Sequence, residues 1–450
     1  MSQPILQPPT PSGHPIIGHT LGFARGPFEF VDRATSECGD LYRMVLPSVD
    51  VYVFAHPDYF KQALITDVDA FGKTEDFRRA FGDGLISTTG EQWSRQRDIL
   101  QPLFHPDQIT GYSEEMVATT QRRLETWESG EIRNMESEMQ DLTLEILFAT
   151  LFGHELQPGE GDDLRDASDG LNKWFEPSSW LLPNWMPTPS RREFKHSTNR
   201  LRKEFQRLLS ESNVDPRTNT DSQAADLQQA TLLSKLHEAR GQDRLSMEEV
   251  EGQLLTMIFA GYETTASALG FAWYALATNP EIRQEFHDEL DAVLGDDLPT
   301  HENVAELELT NRIITETLRL YPPVHTIPRE TTQGVTVGEY HVPAGGQIHL
   351  SVIAVHRDER IYDNPLSFQP DRWMNGFEKN LHDFAYIPFG GGRRTCVGRE
   401  FAQLEAVLAL ATIGQQWIPE WTSADSTITL EPEITTQTKN GLPMRLRQRS

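Results

Sequence analysis

Ser246-Met247-Glu248-Glu249 opens the longest regular pattern in this chain. A serine followed three residues later by a glutamate makes a capping box, and Val250, Leu254 and Ile258 follow at helical spacing. The pattern runs to Asn279-Pro280, which predicts a helix of about thirty residues and about 45 Å. A rod of that length predicts a central helix that other helices pack around. Mid-way along it, Ala260-Gly261-Tyr262-Glu263-Thr264-Thr265 puts a glycine and paired threonines where they weaken a helix interior. A local kink is one reading of that segment and a site is the other.

The rest of the chain also reads mainly helical, with a minor β region. Asn311 to Leu320 is a shorter helix stopped by Pro322-Pro323. Val335-Thr336-Val337 and Tyr340-His341-Val342 flank a turn, and Pro343-Ala344-Gly345-Gly346 has the residues of a second one. Asn213 to Asp226 is rich in polar turn formers and reads as a surface loop. Length alone predicts two or three domains. No linker divides the chain, however, so residues 1–450 read as one domain after a proline-rich segment over about 1–20.

The run Phe389-Gly390-Gly391-Gly392-Arg393-Arg394-Thr395-Cys396-Val397-Gly398 places a cysteine directly before an apolar helical stretch from Phe401 to Ile413. A helix N-terminus offers partial positive charge, and nearby guanidinium groups favour an ionised sulfur. Glycines let the backbone pass close to a large flat ligand and turn N–H groups toward the sulfur. A buried structural cysteine in a tight turn is the plain alternative. Yet the spacing Phe-x-x-Gly-x-Arg-x-Cys-x-Gly arises by chance in a chain this long only about once in ten thousand cases.

That run resembles the haem-binding signature of the cytochrome P-450 family of haem-thiolate monooxygenases. Cysteine ligation of haem is a known property of that family, so what it implies here is carried over from the family. The resemblance implies a mainly helical fold with haem b (iron protoporphyrin IX) between the long central helix and the Cys loop with its following helix. It implies Cys396 as iron ligand, Arg394 paired with a haem propionate, and Phe389 packed beside the sulfur. Trp93 and Arg97, four apart on one helix face, read from spacing as a cation–π surface pair. The family's Trp-x-x-x-Arg motif makes them propionate donors instead, and Arg329 resembles another.

Glu316 and Arg319, alone an ion pair of little energetic value, match with Arg372 the family's buried Glu-Arg-Arg network. In the central helix the resemblance gives Gly261 the task of leaving room for dioxygen. Thr264 would hydrogen-bond the oxygen at iron, and Glu263 would connect protons from solvent. Phe77, Phe81, Leu85 and Phe175, with Tyr262, Val324 and Ile327, match substrate-contacting positions. They point to a hydrophobic substrate such as a fatty acid, an isoprenoid or carotenoid, or a steroid. One oxygen atom of dioxygen would enter it, with electrons from an external ferredoxin or flavin reductase system. A peroxide-using haem enzyme and a thiolate-haem sensor are the alternatives.

Two cysteines, Cys38 and Cys396, exclude a Cys-ligated iron–sulfur cluster, and a disulfide between them would consume the candidate ligand. A reducing, cytoplasmic setting fits. The amino terminus shows no basic segment leading into an apolar stretch, so neither signal peptide nor membrane anchor is expected, although the hinge-like Pro8-Pro9-Thr10-Pro11 is present. Arg393, Arg394 and Arg399 make a basic spot suited to an acidic ferredoxin.

Net charge is −27, from 67 acidic against 40 basic residues, which repels nucleic-acid phosphates. Acid excess with few lysines fits a halophilic protein, because molar salt screens self-repulsion within about 3 Å. Thermal unfolding should therefore shift markedly upward from low to molar potassium chloride. A midpoint indifferent to salt would remove the halophilic reading.

Overall fold

A computed structural model describes residues 6–15, 17–47, 49–157, 161–175, 186–211, 231–423 and 427–449. The expected loop over 213–226 lies outside them. The early helices are α1 (Thr20–Arg25), α2 (Pro27–Cys38), α3 (Pro57–Lys61), α4 (Glu75–Phe81), α5 (Gly90–Leu100), α6 (Pro106–Leu124) and α7 (Met135–Leu147). They are followed by α8 (Asp162–Asn172), α9 (Pro189–Glu211), α10 (Leu232–Gly241), α11 (Met247–Thr278) and α12 (Pro280–Val293). The last are α13 (Glu308–Leu320), α14 (Val352–His356) and α15 (Arg399–Gln416).

The rod α11 has 32 residues and is capped as its sequence dictates. Ser246 Oγ accepts from the Glu249 N–H at 3.2 Å, and Glu249 Oε2 accepts from the Ser246 N–H at 2.9 Å. Most of its residues are buried, Trp273 completely. A helix that is apolar nearly all round can only sit inside a bundle, and α7, α13 and α15 all pack against it.

Sequence spacing opens the next motif helix at Asn311, but α13 opens a turn earlier. Glu289 of α12 accepts from the backbone N–H groups of Leu309 at 2.5 Å and Thr310 at 2.8 Å. A cap supplied from twenty residues away carries no local signal.

The β region is small. β1 (Leu41–Val45), β2 (Asp50–Phe54), β8 (Gln347–Ser351), β5 (Thr326–Thr331) and β3 (Phe71–Gly72) pair in that order, and β2–β8 alone is parallel. The expected hairpin is β6 (Val335–Val337) with β7 (Tyr340–Val342), turned at Gly338 with φ of 57°. β4 (Ile132–Asn134), β12 (Pro443–Gln448) and β9 (Trp417–Trp421) form a second sheet, and β10 (Leu430–Pro432) pairs with β11 (Thr436–Thr438). Among the described residues no helix is long and apolar enough to cross a membrane.

Glu316 and Arg319 are fully buried on α13, and Arg372 meets them. Glu316 accepts two bonds from Arg319 at 2.8 and 2.9 Å, one from Trp373 Nε1 at 2.9 Å and one from the Gln369 N–H at 3.0 Å. Arg319 also donates to the carbonyl oxygen of His356 at 2.8 Å. His356 Nε2 then accepts from the Ile387 N–H at 3.0 Å, and the Ile387 carbonyl accepts from the Gly390 N–H at 3.0 Å. Burial holds that imidazole neutral, with its pKa pushed down to about 3. The buried ion pair is thus wired through His356 to the first glycine of the Cys loop.

Removing one partner of such a pair strands a buried charge. Glu316→Ala should lose about 3–5 kcal/mol of stability, read by urea unfolding. A loss below about 1 kcal/mol, the range of exposed pairs, would make the network dispensable.

Candidate active site

Gly390 and Gly392 take φ of 70° and 69°, a backbone region that side chains resist. A Cβ at Gly392 would also come within 2.5 Å of the Leu64 carbonyl oxygen. The loop closes where the Cys396 N–H donates to the Phe389 carbonyl at 3.0 Å. α15 starts three residues later, so Cys396 is held between a strained loop and a helix N-terminus. Its side chain opens onto a cavity of about 330 Å³. That opening makes it exposed by surface area, yet protein crowds it from every other side. Burial pushes its thiol up, while the Gly398 N–H, Arg97 and Arg399 pull it down.

Across the cavity stands one face of α11: Ala260, Gly261, Thr264, Thr265 and Ala268. Thr264 Oγ1 donates to the Ala260 carbonyl at 2.9 Å. Leu85, Ile86, Val324 and Ile327 give the cavity apolar walls. Phe389 also lines it, with the Arg399 guanidinium 5.8 Å from its ring centre.

Four cations line the same cavity: Lys73, Arg97, Arg329 and Arg394. Arg394 lies over the Trp93 ring at 4.5 Å and leaves Nη1 buried without a partner. Arg97 donates to the Thr395 carbonyl at 2.9 Å. Burial, reinforced by Arg394, pushes Arg329 down to about 10, and Arg394 falls to about 10 through burial and the charges of Arg393 and Arg97. Lys73 is driven well below its usual range by burial and then by Arg329 and Arg394. Among the described residues none of the four has an ion-pair partner. Buried like charges demand an anion.

Also among the described residues, no group of three or more His, Cys, Asp or Glu is placed to hold a bare metal ion. A metal at Cys396 would bring most of its own ligands. A planar macrocycle carrying two carboxylates meets both demands.

A sequence model described as Cytochrome P450 matches residues 8–442. The chain belongs to the cytochrome P-450 family. It is 31% identical over 415 residues to cyclooctatin synthase of Streptomyces melanosporofaciens, covering 90% of this chain and 88% of that protein. It is also 31% identical to pentalenene oxygenase of Streptomyces avermitilis, covering 90% of each. The haem domain of a cytochrome P450DA mutant superposes with a TM-score of 0.84 at 25% identity, over 99% of this chain and 98% of that one. The chain is therefore a haem-thiolate oxidoreductase with the family's fold, and its residues fit the haem. Cys396 would hold the iron, and the cations with Trp93 would hold the propionates.

Several sequence expectations need correction. Tyr262 does not line the cavity; it is completely buried on another side of α11, close to Ser168 and Asp169 of α8. Helix phase explains this, because it sits about 100° round from Gly261. Phe81 is buried behind the wall against Phe77 and Phe259. Phe175 packs on Phe77 and lines an adjoining cleft of about 780 Å³. The apolar residues Trp180, Leu181 and Leu182 that follow it in the chain lie outside the described residues.

Gly261 borders the cavity, and a Cβ there would stand 2.8 Å from Leu147 Cδ1 of α7, so any larger residue would displace the Leu147 side chain. Arg394 faces inward, and the surface arginines are already engaged, Arg393 with Asp69 at 3.2 Å and Arg399 with Glu400 at 3.7 Å. The expected basic spot is therefore largely cancelled. Sequence reasoning missed Lys73, whose only signal is being a rare lysine.

Glu263 lies off the cavity. Its Oε1 accepts from Asn172 at 3.1 Å, Thr435 at 3.0 Å and Gln437 at 2.9 Å, while Oε2 is buried without a partner. Burial, outweighing the Asn172 bond, pushes its carboxyl up to about 8. Unfolded, it would ionise near 4.5. Between those values the folded protein keeps a proton that the unfolded chain releases, so this group's contribution to stability falls as pH rises. Glu263→Gln should gain thermal stability relative to wild type on going from pH 5 to pH 8. Parallel pH profiles of the two proteins would mean that the carboxyl is already ionised.

Proposed function

We propose that this chain, acting as one unit over residues 1–450, is a monooxygenase that hydroxylates an isoprenoid hydrocarbon or a lightly oxidised terpenoid. The observation that carries the reading is the cavity with Cys396 on one wall, Thr264 on the other and apolar side chains between. Relatives named cyclooctatin synthase, cyclooctat-9-en-7-ol 5-monooxygenase and pentalenene oxygenase support the substrate class.

Haem b, when bound through a thiolate, supplies reductive activation of dioxygen. The chain's own residues supply the rest. Cys396 would anchor the iron, Arg97, Arg329, Arg394 and Lys73 would neutralise the propionates, and Trp93 would help to orient them. Leu85, Ile86, Val324 and Ile327 exclude water and hold an apolar molecule by area alone. The cleft beside Phe77 gives such a molecule a route in.

Thr264 commits its proton to the Ala260 carbonyl, so toward the cavity its oxygen presents lone pairs. To donate there, it must release Ala260 and turn. Glu263 holds a proton behind the helix. Together they let protons reach the cavity without opening it to bulk water. Electrons come from a separate carrier, which short-range contacts must seat, since the surface arginines already have acidic neighbours. Cys38 and Cys396 are both unpaired, which suits a reducing cytoplasm.

Thr264→Ala keeps a helix-compatible residue, so folding and haem binding should survive. With a surrogate reductase and a terpene substrate, reduced nicotinamide should still be consumed. Product per equivalent should drop and hydrogen peroxide should rise, within the 10²–10⁴-fold range of a positioned proton donor (about two to four decades). Equal coupling in both proteins would take Thr264 out of the mechanism.

A further inference from the structure

The cleft of about 780 Å³ that adjoins the cavity has two imidazoles in its walls, His325 and His349. Each is half-buried, open to the cleft and crowded by protein on its other sides. His349 stands on β8 between Val53 of β2 and Pro328 of β5, its direct partners in the sheet register. Neither neighbour has a polar side chain, and among the described residues the His349 ring has no hydrogen-bond partner. His325 lies just before β5, with its ring held edge-on to Phe28 of α2 at 5.2 Å. Buried polar groups are nearly always satisfied, so two imidazoles left facing one cleft call for a ligand.

The proton on His325 has a preferred seat. Thr436 Oγ1 gives its own hydrogen to the Pro322 carbonyl at 2.7 Å, so toward His325 Nδ1, 3.5 Å away, it presents lone pairs. That contact favours the proton on Nδ1 and leaves Nε2 as an acceptor. Burial holds both rings neutral, pushing His325 down to about 3, with help from His349, and His349 down to about 4. A neutral ring has one N–H to give, and His349 gives its own to no described protein group. The cleft thus offers one free acceptor and one free donor. An alcohol O–H both gives and takes a hydrogen bond, whereas a carbonyl or carboxylate oxygen only takes. A carboxylate is further disfavoured, because Glu29, Asp76, Glu431 and Glu433 outnumber Arg25 and Lys439 around the cleft. A metal ion would need more ligands, and among the described residues no third His, Cys, Asp or Glu is grouped with the pair.

We infer that His325 and His349 form a hydroxyl-binding site, so that the substrate is a terpenoid alcohol gripped by the oxygen it already carries. The inference rests on the terpenoid reading above and narrows it. Phe77, Thr326, Pro328 and Ile434 border both the cleft and the Cys396 cavity, so one molecule can span the two. With its hydroxyl in the cleft, its hydrocarbon end enters the cavity toward Thr264. New oxygen then enters at a carbon remote from the first, and a hydroxyl-forming reaction must precede this one.

The test titrates the holoenzyme with two matched series and reads each Kd from the haem spectral shift. One series is farnesol with its methyl ether, farnesoic acid and farnesene, and the other is cedrol with cedrene. The quantity read is the Kd of each analogue divided by that of the alcohol. In the wild type the alcohol should bind about tenfold or more tightly than the hydrocarbon, the scale of one net hydrogen bond. The ether, which takes but cannot give a hydrogen, and the acid should both fall behind the alcohol. His325→Phe and His349→Phe keep a flat ring and should each erase most of that preference, and either decides alone if the other does not fold. His325→Gln, which restores an acceptor, should recover part of it, as a mere change of shape would not.

A ratio near one in the wild type for both skeletons, or a preference that survives both phenylalanine substitutions, overturns the hydroxyl site. If the hydrocarbons are then still bound and hydroxylated, the terpenoid reading stands without it. If no member of either series binds or is oxidised, that reading fails and takes the site with it.

Discussion

Four cations facing one cavity from four separate segments set the terms for everything around them. Lys73 follows β3, Arg97 rides on α5, Arg329 on β5, and Arg394 belongs to the Cys loop. Their mutual repulsion grows as the walls close and water leaves. An anion in the cavity offsets that repulsion, and none of the described side chains provides one as an ion-pair partner. The carboxylates of a bound haem would therefore be part of the fold's electrostatics. A ligand that binds only the folded state stabilises it, more so the tighter it binds, so haem capture and closure of these walls would form one equilibrium.

The same logic runs in reverse at Glu316, where the charges balance and the protein carries both signs. Arg319 and Arg372 converge on one carboxylate, and Trp373 and a backbone N–H fill its remaining positions. That arrangement fixes α13 against the segment leading to the Cys loop and passes its rigidity through His356 and Ile387 to Gly390. One buried cluster is complete without a ligand and the other is built to receive one. The complete cluster holds still the loop that bears Cys396, the proposed iron ligand.

The sequence disclosed these features unevenly. The capping box of α11 and the Cys-loop glycines were legible because their causes are local: a side chain bonded to a nearby N–H, and a backbone angle that only glycine takes easily. Thr264 and Gly261 could be placed together, three apart on one helical face. The same helical wheel would have moved Tyr262 off that face, but an aromatic residue beside a cavity motif invited the wrong assignment. Lys73 was illegible, since nothing in Gly72-Lys73-Thr74 tells of burial among three arginines brought in from distant elements. Nor could Arg393 and Arg394 be told apart, although one points to solvent and Asp69 and the other inward to Trp93. Burial and long-range pairing decide such cases, and neither leaves a trace in neighbouring residues.

The contact between Gly261 and Leu147 has a further consequence for how such an enzyme changes its diet. The distance between α7 and α11 is fixed by that missing side chain and by Thr143 Oγ1, which donates to the Tyr262 carbonyl at 3.0 Å. Leu147 borders the cavity from the α7 side, so its far end helps to bound the space facing Thr264. A smaller aliphatic residue in place of Leu147 would enlarge the cavity and relieve the contact with Gly261, whereas a larger one would press on Gly261 itself. Adding even a methyl at Gly261 presses on Leu147 from the other side. Cavity size and the spacing of the two helices are thus coupled at the contact between positions 147 and 261.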